Sequence, residues 1–83
     1  MTAAAAAIDA RRLKALTEKG EPKTDKYRAA IVRTVEDIKT HADERCAFYA
    51  EGGMHEAAEA WSEVAVSADY RLEQIAADTW SWA

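Results

Sequence analysis

The chain has 83 residues, 49% of them apolar and 31% charged, with a net charge of −4. This length holds one domain, residues 1–83, near the lower limit for a self-sufficient core. A lone cysteine, Cys46, excludes an internal disulfide, and no segment approaches the ~20 apolar residues that a membrane span needs.

Twenty of the apolar residues are alanine, so the core is expected to be thin and its helices closely packed. A thin core gains stability from a partner or from self-association, which makes a homodimer one expectation. The run Ala3–Ala7 has no basic region before it and Asp9 after it, unlike a signal peptide. A soluble, cytoplasmic protein is therefore expected. Charge is unevenly placed: residues 1–33 carry a net +4 and residues 34–83 a net −8. Between Arg45 and Arg71 there is no lysine or arginine. A gap of that length sets the sign of the field over half the molecule.

Glycine and proline occur in two places only, Gly20-Glu21-Pro22 and Gly52-Gly53. Elsewhere the chain is rich in Ala, Glu, Arg and Lys, without sustained alternation, and reads as helix. The first helix is expected over 3–19, with Thr2 as N-cap, Lys19 in the last turn and Gly20 at the left-handed C′ position. Its apolar arc is Ile8, Leu13 and Leu16, and at ~24 Å it can cover only part of a longer pair.

The second helix is expected over 25–51, after Thr24 and with Asp25 in its first turn. Its seam, Tyr27, Ile31, Val35, Ile38, Ala42, Cys46 and Tyr49, steps in threes and fours. Cys46 falls in that seam as a small hydrophobe. The third helix is expected over 54–81, with the seam Met54, Ala57, Trp61, Val64 or Ala65, Ala68, Leu72, Ile75 and Thr79. The second and third helices are each ~42 Å long. Joined by two glycines, they predict an all-α fold: a long antiparallel two-helix hairpin plus a shorter N-terminal third helix.

No catalytic, cofactor or metal site is expected. His55-Glu56-Ala57-Ala58-Glu59 has Glu59 where the zinc-protease helix needs a second histidine, and two ligands do not make a site. His41 lies well away in the preceding helix. Glu56 instead suits the helix dipole, and His55 can pair with Glu59 at the surface. A nucleophile needs a base and an orienting third group, and none assembles around Cys46 or any serine, so the chain reads as a non-enzyme.

Residues 52–64 resemble the second half of a tetratricopeptide repeat: Gly52 at the turn, then Ala57, then Trp61. In the first half, Arg45 and His41 stand where the family has a glycine and an aromatic residue. The chain holds a single copy, whereas solenoids need several. The resemblance implies how two helices turn, not a function.

On a helical wheel the side of the third helix opposite Trp61 holds Glu56, Glu59, Glu63, Tyr70, Glu73 and Gln74, with Val66 at the edge. Lysines that would pair with these glutamates at i,i+4 are missing, and Tyr70 offers a broad ring with a polar tip to a contact surface. Glu56 to Glu63 places three charges on about 10 Å of axis, against one charge per ~3.4 Å of a DNA strand. Such a stripe repels nucleic acid, and it is either an ordinary solvated face or a surface that could occupy a basic groove made for nucleic acid. Trp80 and Trp82 lie on different sides of the wheel, so both cannot join one seam: either one packs on the first or second helix and the other caps the hairpin end, or one is an exposed anchor for a partner or second subunit, a role in which tryptophan is enriched.

In size, helical content and acidity the chain resembles the anti-CRISPR proteins of phages and mobile elements. Some of these block Cascade or an effector nuclease by occupying its nucleic-acid channel. The resemblance covers composition and carries no motif. It implies an inhibitor or adaptor whose partner is a basic protein, such as a CRISPR effector subunit. The expected contact residues, taken from the wheel, are Glu56, Glu59, Glu63, Tyr70, Glu73, Trp80 and Trp82. The alternative is a scaffold or assembly piece that dimerises through Trp80 and Trp82. A third reading, nucleic-acid binding by the basic residues from Arg11 to Arg33, is opposed by the acidic remainder and the lack of a recognition helix.

Overall fold

A computed structural model describes residues 2–18 and 22–77. Among them are three helices and no strand: α1 (Thr2–Glu18), α2 (Asp25–Glu51) and α3 (His55–Ala76). α1 is the shortest, at 17 residues against 27 and 22. α2 and α3 pack closely along each other, and α1 lies mainly against α3 and less against α2. The molecule measures 43 × 18 × 18 Å, a long axis close to the ~40 Å expected of a 27-residue helix.

α2 begins where its cap chemistry dictates. Thr24 has extended backbone angles, and its side-chain oxygen accepts the Tyr27 N–H at 3.1 Å. This satisfies one of the amides that a helix start leaves open. Asp25 in the first turn suits the dipole. The other end closes in a Schellman motif. Met54 N–H donates to the Tyr49 carbonyl at 2.9 Å and Gly53 N–H to that of Ala50 at 3.2 Å. Gly53 carries the left-handed conformation, φ +75°, which costs a residue with a Cβ about 1–2 kcal/mol. Gly52 has ordinary angles, so only the second glycine is required by geometry.

α3 starts less well. Met54 occupies its N-cap with no side-chain hydrogen bond, and Glu56 supplies the acidic first turn. Ala77 closes the helix, its N–H reaching back to the Glu73 carbonyl at 3.0 Å. α3 therefore starts one residue after the expected Met54 and is described to Ala76, while the expected end at Ser81 lies outside the described residues. Lys19, Gly20, Thr79, Trp80 and Trp82 lie outside the described residues, as do the roles expected of them. Thr2 is the first residue within α1 rather than its cap.

The core joins Ile31, Val35, Ile38 and Ala42 of α2 to Trp61, Val64, Ala65, Ala68 and Ile75 of α3, with Ala6 and Leu13 of α1. Leu16, Cys46, Tyr49 and Leu72 pack half-buried at its margin. Each buried Val, Leu or Ile contributes roughly 1.5–3 kcal/mol, while the alanines contribute mainly by letting backbones approach. Trp61 is the largest core side chain, 2% exposed, and the His41 ring meets it edge-on at 5.2 Å.

Three seam residues are exposed instead of buried: Ile8, Tyr27 and Met54. Tyr27 and Met54 sit at the first turn of α2 and the cap of α3, where helical spacing continues but the facing helix offers no cover. On α1 the buried arc is Ala6, Asp9 and Leu13, with Leu16 beside it, a rotation that turns Ile8 outward. Asp9 is only 9% exposed and pairs with Arg12 one turn on, at 3.3 Å.

Candidate protein-docking surface on α3

The periodicity that buries Ala57, Trp61, Val64, Ala68 and Ile75 turns Glu56, Glu59, Glu63, Val66, Tyr70 and Glu73 outward, and all six are exposed. The steps between them are threes and fours, so they form one stripe along the helix. Val66 is 66% exposed and Tyr70 56%. Tyr70 is held along the helix by Gln74, whose Nε2 donates to the phenol oxygen at 3.2 Å. The stripe is therefore acidic at both ends and apolar in the middle.

Few cations are available to neutralise it. Among the described residues no lysine or arginine pairs with Glu56, Glu59, Glu63 or Glu73. Lys39 of α2 reaches across to Asp69 at 4.0 Å while bonding Asp43 at 2.8 Å. The Asp43 hydrogen bond, then the Asp43 and Asp69 charges, raise the Lys39 pKa above its ordinary 10.5. That cation is thus tied to the α2 side of α3. Glu59 and Glu63, at i and i+4, repel each other by about 0.2–0.5 kcal/mol. Glu59 and Glu63 thus do nothing for the stability of their own helix.

Two shallow hollows flank it. One, of about 280 Å³, lies between α1 and α3 and is lined by Ala6, Ala7, Ala10, Ala60, Glu63, Val64 and Ser67. The other, of about 560 Å³, is lined by Glu59, Ser62, Glu63, Val66 and Ser67. They share Glu63 and Ser67, so the two adjoin along that edge of α3, and the first is the concavity between α1 and α3. Sequence reasoning placed the glutamates and Tyr70 but missed this concavity. Its signal was there, in the small residues of Ala3–Ala7 and Ala10 at helical spacing from one another. Val66, set at the edge of the wheel, is in its middle.

Of the other candidates, His55 opens α3 on the surface, while His41 is engaged by Trp61. Among the described residues no three His, Cys, Asp or Glu side chains converge as metal ligands. Among those residues, too, no helix is long and apolar enough to cross a membrane. No protein family, curated protein or solved structure matches the chain.

Proposed function

We propose that this chain is a non-enzymatic binding protein, of the anti-CRISPR kind, that inhibits or adapts a larger partner by presenting the acidic face of α3 to a basic, nucleic-acid-binding surface. The observation that carries the reading is the stripe Glu56, Glu59, Glu63, Val66, Tyr70 and Glu73: exposed at all six positions, its glutamates unpaired by cations among the described residues, and placed on a helix whose other face is core. Acidity left unneutralised at the expense of helix stability has a use when a cationic partner supplies the counter-charge.

α2 and α3 act as one rigid antiparallel hairpin beneath this face. Three features support that geometry: the Schellman turn between them, the contact of His41 with Trp61, and that of Lys39 with Asp69, farther from the turn on both helices. Rigidity matters because a pre-ordered charged surface loses little entropy on docking.

The test is capture from the host that carries the gene, using the wild-type protein and the Glu59→Lys/Glu63→Lys variant at low and high salt. The expected catch is a nucleic-acid-binding protein, released by salt or by competing DNA, and lost with the double variant. A partner held equally by both proteins and indifferent to salt would overturn the reading.

A further inference from the structure

A surface that merely imitated a phosphate backbone would be charged along its whole length. This one is not. Between Glu63 and Glu73 lie Val66 and Tyr70, both more than half exposed. Beside them runs the concavity bounded by Ala10 of α1 and by Ala60 and Ser67 of α3. Small residues on both walls let a third element approach closely, as at helix–helix contacts. From Glu59 to Glu73 the stripe covers about 21 Å, the length of a four-turn helix.

We infer that the docked element is a basic amphipathic helix of the partner, with an apolar stripe seated over Val66, Tyr70 and the α1–α3 concavity and basic residues reaching Glu59, Glu63 and Glu73. Charge complementarity fixes the sign of the occupant's ends. The apolar middle requires side chains there that a nucleic-acid-binding loop of lysines alone does not provide. This is the helix-in-groove mode, read by anchors at i, i+3, i+4 and i+7. Glu63 and Glu73 stand ~15 Å apart along the axis, which sets the occupant's basic residues about ten positions apart. The inference rests on the acidic-face reading and specifies the form of the partner.

The probe is a synthetic 18-residue peptide with leucines at helical spacing and lysine pairs about ten residues apart. Its control carries glutamine in place of every leucine. Binding is measured by calorimetry and mapped by amide chemical shifts. The leucine peptide is expected to bind at least tenfold tighter than the control, to become helical on binding, and to shift the amides of Ala10, Ala60, Val66 and Ser67. Ser67→Trp, at an exposed position that leaves the core intact, is expected to remove that tenfold gain while circular dichroism and Tm stay unchanged. Equal binding of the two peptides, or a Ser67→Trp protein that binds the leucine peptide as wild type does, would overturn the groove. If Glu59→Lys/Glu63→Lys weakens both peptides but Ser67→Trp weakens neither, only this inference falls. If the charge reversal also changes nothing, the acidic-face reading falls with it.

Discussion

The two faces of α3 are made of neighbouring residues and obey opposite rules. Inward, Ala57, Trp61, Val64, Ala68 and Ile75 are buried, all but Ala57 in the core shared with α1 and α2. Outward, Glu59, Glu63, Val66, Tyr70 and Glu73 are exposed, and among the described residues no cation pairs with the three glutamates. The inner face holds the fold together. The outer face carries like charges at i,i+4 and bare apolar groups, both mildly unfavourable in an isolated protein. One helix thus separates stability from the proposed binding by about half a turn of rotation, so substitutions on its two sides should affect different measurements.

The largest effect is expected inside. Trp61→Ala leaves a cavity at the junction of α2 and α3 and removes the ring that His41 packs on. It should cost about 3–5 kcal/mol, a large part of the stability of so small a domain, read as a fall in the midpoint of urea unfolding. Next comes the turn between α2 and α3. Gly53→Ala forces a Cβ into φ +75° and should cost about 1–2 kcal/mol. Gly52→Ala places its Cβ at 3.7 Å from the Phe48 and Tyr49 carbonyls, ordinary contact, and should cost little. Equal losses at the two glycines would refute the Schellman assignment.

On the outer face the sign is expected to reverse. Glu63→Lys replaces a repulsion with Glu59 by an attraction in the favourable order, glutamate before lysine. It should stabilise the protein by about 0.5 kcal/mol while weakening the proposed docking. The smallest effect belongs to Lys39, whose side chain is half-buried. Its pKa is raised in the fold, so its contribution is complete below the ordinary value of 10.5 and fades as pH rises through the raised one. The Tm difference between wild type and Lys39→Met should therefore be present at pH 8 and shrink in more alkaline buffer. A difference that grew there would contradict the assigned pairing.

Much of the inner face was legible in the sequence. α2 has the expected bounds because Thr24 and Gly52-Gly53 are strong local signals. The seam Ile31, Val35, Ile38 and Ala42 is buried as its spacing requires. Legibility fell where packing was decided by small or charged residues. On α1, counting large apolar groups selects Ile8, yet the helix turns Ala6 and Asp9 inward. Ala6 allows close approach to α3, and Arg12 offsets the Asp9 charge. Spacing alone also could not show that Tyr27 and Met54 lie beyond the reach of the facing helix. The acidic stripe was visible on a helical wheel because it needs only one helix. The concavity beside it was not, since it needs the placement of α1 on α3.

The central claim is that the outer face of α3 is built for a cationic partner and not for the fold. The most direct measurement sets the unfolding midpoint of Glu59→Lys/Glu63→Lys beside its salt-dependent capture of the host partner. The double reversal restores a like-charge pair, so the midpoint should stay within about 0.5 kcal/mol of wild type while capture is lost. A protein that unfolds early, or one that holds its partner undiminished at every salt concentration, would contradict the claim.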